Sequence, residues 1–408
     1  MAAAVRGTGR RALALLLAPL LLALAAACGG GSGGTDTRTA AARPLDLAFN
    51  HPGVLVGKEQ LDRVRAHVGA REQPWLAAFE QMRSSRFAAA DYTAKPYDVV
   101  VCPPDTRPGQ GCVEEREDAL AAYTQALLWS VTGERAHAEK AVQIMDAWSK
   151  RITGHTEANA GLQTAWAASS WARAAEIVRY TYDGWSDGAL LRFERMLRNA
   201  YLPQVRNGSA DFNGNWDLVM ADATMSMAVF LDDHATFEKA VHHFRTRVPA
   251  YFYLESDGKL PVSPEGSGID TASELKRYWF GQGTFTDGIS QETCRNFKHA
   301  SYSLAAASHM AETARHQGVD LYGEVRDRLR AAFEFHAKYQ LGARAPAWLC
   351  GGRVRRDMGP DTEVGLNHLR GRLHLEMPYT EKYTVARRPE GTDGLFVAWE
   401  TLTHAGNA

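Results

Sequence analysis

Long apolar runs are nearly absent from this 408-residue chain. The one candidate, Ala12 to Ala27, is too short and too alanine-rich to read as a membrane span. Net charge is nearly absent as well, with 46 Lys and Arg against 47 Asp and Glu. That balance argues against nucleic acid as a general partner and asks any polyanionic ligand to find a local basic lining. No Cys-x-x-Cys or His-Glu-x-x-His spacing occurs, and the neighbours His242 and His243 diverge by about 100° on a helix, so neither a metal nor another cofactor is expected. Strict apolar/polar alternation is scarce, and only Arg372 to Glu376 offers a short strand or a loop edge.

Cysteine is sparse, at five residues, and its placement is informative. Arg6, Arg10 and Arg11 precede the apolar run, and Ala25-Ala26-Ala27 lead into Cys28 and a Gly/Ser tether, a pattern like a bacterial lipoprotein cleavage site. Residues 1–28 are therefore expected to be an export signal ending at a lipidated Cys28, and 29–45 a flexible linker. The protein would be a cell-surface lipoprotein, held to the membrane only through its lipid, or else secreted or periplasmic. Removing Cys28 leaves four cysteines, an even number suited to an oxidising compartment. Cys102 and Cys112 bracket a Pro- and Gly-rich loop that a disulfide would staple; Cys294 and Cys350 form the second candidate pair.

What fills the rest is a succession of helical patterns with short turns, over 58–68, 115–131, 135–150, 164–180, 187–205, 217–231, 236–247, 296–316 and 324–339. Gly133, Gly154, Gly184 and Gly318 punctuate their ends as C-terminal caps. Hydrophobic residues make up 45% of the chain, enough for a large core. Repeated antiparallel pairs of this kind suggest an all-α fold, an incomplete (α/α) barrel or toroid of helix hairpins forming one catalytic domain over 46–408, a monomer with its cleft at one rim. The stretch 255–293 carries no helical pattern and is rich in Gly, Ser, Thr and aromatics, so function is expected to gather there.

The segment Gln291 to Tyr302 places a carboxylate, a guanidinium, an imidazole and a phenol at helical spacing. At about 100° per residue, Glu292, Arg295, His299 and Tyr302 fall in a stripe roughly 80° wide, opposite Phe297, Ala300, Leu304 and Ala311. Solvated helix faces favour Lys, Glu and Gln; a His and a Tyr beside an Arg point to something bound there. Lys276-Arg277, Lys298, Arg353, Arg355-Arg356 and Arg370 are further candidates for a basic lining. Tyr278-Trp279-Phe280, Phe285, Trp166, Trp171 and Trp216 are candidates for stacking on sugar rings.

Tyr302-Ser-Leu-Ala-Ala-Ala-Ser-His-Met-Ala-Glu312, with Arg295 seven residues upstream, resembles the catalytic Arg and Tyr helix of the alginate lyase superfamily, the helical-toroid polysaccharide lyases. Glu292 and His299 are similar to a Glu and His pair used by related polyuronate lyases. Asn213-Gly-Asn-Trp-Asp217 sits where the family carries an Asn, often followed by His, that grips the substrate carboxylate. Here Trp216 follows Asn215, which throws the role of base onto His299 or Tyr302. Weaker likenesses run from Asn159 through Gln163 and Trp166 to Glu176, and from Glu363 through His368 and Arg370 to Leu402. The resemblance implies a lyase for an anionic polysaccharide. Asn215, Arg295 and a protonated Glu292 would neutralise the uronate carboxylate, with His299 and Tyr302 handling protons. Asn213, Trp216, Gln163, Trp166, Tyr278, Lys298, His368 and Arg370 would bind the chain.

Such a lyase needs no nucleophile. The proton at C5 is acidic only once the adjacent carboxylate is neutralised, and a base and an acid then complete the elimination. The alternatives are a glycoside hydrolase on the same toroid, using two of Asp217, Asp222, Asp257, Glu265 and Glu292, or a surface lipoprotein that only binds glycan.

Overall fold

Four helices of this chain are buried on almost every side, and that decides the architecture. They are α3 (Cys112–Thr132), α5 (Ala160–Thr181), α8 (Gly214–Phe230) and α11 (Phe297–His316). All are rich in Ala, with Leu in α3, Ser in α5 and α11 and Met in α8, small or adaptable residues that let helices approach closely without leaving a polar face to solvate. They pack in succession, α3 on α5, α5 on α8, α8 on α11. A second layer of amphipathic helices covers them: α4 (Arg135–Ser149) on α3, α6 (Asp187–Met196) on α4, α9 (His234–Tyr251) on α8, and α12 (Leu321–Gln340) on α11. The result is an all-α toroid of helix hairpins. The computed structural model describes residues 48–104 and 109–406; the export, linker and Cys28 expectations lie outside them.

The remaining elements close the sides. α1 (Lys58–Gly69) and α2 (Trp75–Arg83) pack near α15 (Glu400–His404); α13 (Glu363–Leu366) lies against α11, and α14 (Pro378–Arg387) against α12. α6 runs through a π turn at Leu197–Tyr201 into the short α7 (Leu202–Val205). The pattern over 187–205 is thus helical, with an internal change of register.

Several expectations change. Gly133 and Gly318 take positive φ at helix ends, but Gly154 opens a strand and Gly184 sits in a turn. That strand, β2 (Gly154–Thr156), pairs in parallel with β1 (Val99–Val101), an element too short for its alternation to register. The stretch 255–293 is not structureless, because α10 (Ala272–Tyr278) forms within it behind a Thr271/Glu274 capping box. Arg372 to Glu376 is not a strand: Arg372 ends a π turn over Asn367–Arg372, and 373–376 form a loop edge. Both cysteine pairs, Cys102–Cys112 and Cys294–Cys350, are disulfide-bonded.

A charged cluster ties the inner helices together in the core. Arg173 of α5 donates to Asp222 of α8 at 3.1 Å, to His309 of α11 at 2.9 Å and to the Phe396 carbonyl at 2.6 Å. His309 in turn meets Glu400 of α15 at 2.6 Å. All four side chains are buried. Removing the cation strands a buried carboxylate, so Arg173→Leu should destabilise the fold by about 3–5 kcal/mol in denaturant melts, far more than an exposed pair such as Arg135 with Asp183.

Candidate active site

The start of α11 shows why the helical stripe was only half right. Asn296 is the N-cap, extended at φ −178°, and its Oδ1 accepts from the His299 backbone N–H at 2.9 Å. Residues 291–295 before it form turns, so Glu292 and Arg295 do not share a helical face with His299 and Tyr302. Tertiary contacts hold this junction: Arg355 accepts from the Phe297 N–H, Asp357 from the Lys298 N–H, and the Cys294–Cys350 disulfide pins the turn to the same C-terminal loop.

His299, Tyr302, Arg295 and Lys298 line one wall of a cleft of about 760 Å³. Asn215 and Trp216 of α8 lie on the same cleft, and the opposite wall is built by Arg116 of α3, Gln163 and Trp166 of α5 and the Cys102–Cys112 disulfide. Three cations, Arg116, Arg295 and Lys298, are among its lining residues, and among the described residues the lining contains no carboxylate. Inside a poorly hydrated cleft such a lining attracts carboxylate groups far more strongly than the near-neutral chain as a whole.

His299 is held as a base would need to be. Its Nδ1 lies 2.7 Å from Asn296 Oδ1, an acceptor, so Nδ1 carries the proton and Nε2 keeps its lone pair. Burial first, then the charges of Arg295, Lys298 and Arg355, bring its pKa down to about 4. The Tyr302 ring stands edge-on to it, centroids 5.9 Å apart. Burial, then the charges of Asp393, Asp361 and Asp357, push the Tyr302 phenol well up against a smaller opposing pull from Arg116. The phenol therefore keeps its proton and the imidazole stays neutral at the same pH.

Glu292 is not among the lining residues. It is fully buried and accepts from the Asn215 N–H, the Asn215 amide, the Tyr251 hydroxyl and Arg295, so the structure places it behind Asn215 and Arg295 instead of facing the cleft. Gly214 permits this packing, because a Cβ there would lie 2.1 Å from the Tyr251 ring.

Other expected binding residues disperse. His368 is buried, stacked on Tyr322 and 3.6 Å from Glu312, and Arg370 pairs with Glu381 at the surface. Tyr278 is not itself in the lining but donates to the carbonyl of the lining residue Phe212 and receives Arg247; Asn213 is the residue preceding α8. Trp279 and Trp171 are core residues. Of the basic candidates only Arg295 and Lys298 reach the lining; Arg356 donates to backbone carbonyls. The carboxylates proposed for a hydrolase are occupied or remote: Asp217 with Arg247 and His243, Asp222 with Arg173, Asp257 with Arg328, Glu265 with His242.

Arg116 is the residue the sequence concealed. It sits inside the acidic run Glu114-Glu115-Arg116-Glu117, which reads as a solvated helix start. In the fold it donates to Gln163 at 3.0 Å and lies 5.3 Å over the Trp166 ring. Gln163 is fixed in turn by Glu115 at 2.9 Å. Asn296 was read only as a helix start, although an Asn three residues before a His is the signal for this bond.

The alginate lyase family model matches residues 103–346, which span these walls. The chain belongs to the alginate lyase family. It is a polysaccharide lyase, and no curated protein matches its sequence. Its fold is similar to that of alginate lyase A1-III from Sphingomonas species A1, at 14% identity and TM-score 0.61 over 88% of this chain and 97% of that one. A histidine-to-alanine variant of A1-III complexed with a tetrasaccharide matches at 14% and 0.61, over 89% and 98%. An alginate lyase from Bacteroides ovatus matches at 12% and 0.53, over 84% and 97%.

A role as base would require His299 to be neutral, and in that role activity should persist above its pKa and fall only as pH drops through it. The acid limb of kcat/KM, which reports the free enzyme, should therefore lie near 4 instead of near 6.5. A bound polyanion adds negative charge beside the imidazole, so the limb of kcat should lie higher than that of kcat/KM.

Proposed function

We propose that this lyase cleaves alginate by β-elimination, with His299 as base and Tyr302 as acid. The observation that carries the reading is a neutral imidazole, tied at Nδ1, beside a protonated phenol in a cleft lined by cations and, among the described residues, lacking carboxylates. Asn215 and Arg295 offer N–H donors to the uronate carboxylate, which lets charge spread from C5 onto that group as the proton leaves. His299 Nε2 takes the C5 proton. The electron pair of the C5–H bond forms the C4=C5 double bond, the C4–O4 bond breaks, and O4 takes the Tyr302 proton. The products are an unsaturated uronate end and a new reducing end. The imidazolium and phenolate then exchange a proton with solvent before the next turnover.

His299 and Tyr302 project one turn apart from a single helix, so both approach from one side of the sugar. Mannuronate and glucuronate carry H5 and O4 on the same face of the ring, and guluronate carries them on opposite faces. Mannuronate blocks of alginate are the substrate this arrangement favours. Arg116, backed by Gln163 and Trp166, would hold the carboxylate of a neighbouring sugar. Export with a lipid anchor at Cys28 belongs to the same proposal, supported by two disulfides of the kind found in oxidising compartments.

Polymannuronate should give an ultraviolet-absorbing product, and polyguluronate far less; new reducing ends without absorbance would mark a hydrolase, and neither signal a binding protein. Tyr302→Phe and His299→Ala should each lower kcat at least about a hundredfold with the fold intact. Arg116→Ala should act mainly by raising KM. The reading assigns neutralisation to side chains, so dialysis against chelator should leave the rate unchanged; a loss restored by a divalent ion would reassign that role.

A further inference from the structure

The first turn of α8 is capped from a distant part of the chain. Asn213, which precedes the helix, makes no side-chain cap. Instead Gln291 Oε1 accepts from the Gly214 N–H at 3.0 Å, and Glu292 Oε2 from the Asn215 N–H at 2.9 Å. A carboxylate at a helix N-terminus also meets the positive end of the helix dipole. The same carboxylate reaches the Asn215 side chain: Nδ2 is 2.8 Å from both Oε1 and Oε2. Nδ2 placed evenly between two acceptor oxygens directs one N–H at the carboxylate and leaves the second for the cleft that Asn215 lines. Flipping the amide would set Oδ1 against the carboxylate, oxygen to oxygen, so that orientation is excluded. Oε1 also accepts from Arg295 Nη1 at 2.6 Å, and Oε2 from the Tyr251 hydroxyl at 3.0 Å.

Resting on the lyase reading, we propose that Glu292 is a positioning residue: one buried carboxylate aims the Asn215 amide and the Arg295 guanidinium at the same substrate carboxylate. It does not itself touch substrate or move a proton. Its contacts fit that role, since each oxygen is engaged by protein donors and Glu292 is not among the lining residues of the cleft. Positioning is worth as much as the groups positioned, because a donor displaced by about 1 Å loses its effect on the developing charge. Tyr251 completes the clamp from the outer helix α9, and Gly214 lets its ring come close enough to do so.

The test is a double-mutant cycle on the full chain with polymannuronate. Glu292→Gln keeps shape and removes charge; kcat should fall about tenfold or more with KM changed less than about threefold, and both limbs of the pH profile should survive. In an Asn215→Ala, Arg295→Ala background the same substitution should cost little further, because Glu292 then has nothing to aim. Losses that multiply across the cycle, a limb missing from the Glu292→Gln profile, or an unchanged kcat would each overturn the proposal. Should Glu292→Gln fail to fold, Tyr251→Phe carries the test: a severalfold loss in kcat that disappears in the Asn215→Ala background supports it, and a loss that persists there overturns it. Absence of any eliminated product from wild-type enzyme would instead remove the lyase reading on which the proposal rests.

Discussion

A single buried carboxylate sits where two helices and a turn must agree. α8 begins at Gly214 with backbone N–H groups that its own sequence leaves uncapped, and α11 begins only after a turn that carries Glu292 and Arg295. Glu292 satisfies both demands, and the remaining fittings follow from it. Tyr251 must reach it from α9, Gly214 must lack a Cβ, and the Cys294–Cys350 disulfide must keep the turn in register with the C-terminal loop. A carboxyl group that is fully buried and accepts from four donors is costly to misplace, so this corner tolerates one arrangement.

Much of the fold was legible because its helices are long and their boundaries are punctuated. The nine helical patterns correspond to observed helices within a few residues, and Asp233, Asn296 and Asp320 cap α9, α11 and α12 as their side chains suit. What escaped was mostly short. α2 and α14 span 9 and 10 residues, α10, α13 and α15 have too few turns for a period to show, and β1 and β2 span three residues each. The inner helices weakened the signal from the other direction, since a helix buried all round has no polar face to set a period against.

The candidate site divides by distance along the chain. Local spacing placed His299 and Tyr302 on one face, and they meet. It misled at Glu292 and Arg295, because periodicity cannot see the helix start that Asn296 imposes between them. His368 was misplaced for a different reason: a histidine that pairs with a buried glutamate and stacks on a tyrosine looks, in one dimension, like a histidine awaiting a ligand. Arg116 was hidden because its acidic neighbours mask it in sequence while its helix turns it inward, and no signal within a single turn distinguishes the two faces of that run.

The cationic cleft sits in a chain whose formal charge is −1. A protein positive overall would cling to polyanions wherever it met them, and each cut would leave two charged fragments bound to it. Here the attraction is confined to the lining, and at physiological salt it fades within about 8 Å. Capture is thereby short-ranged, and a product end that slips out of the cleft meets a surface with no net hold on it. For a lyase acting on a charged polymer, turnover would depend on that release as much as on the chemistry within.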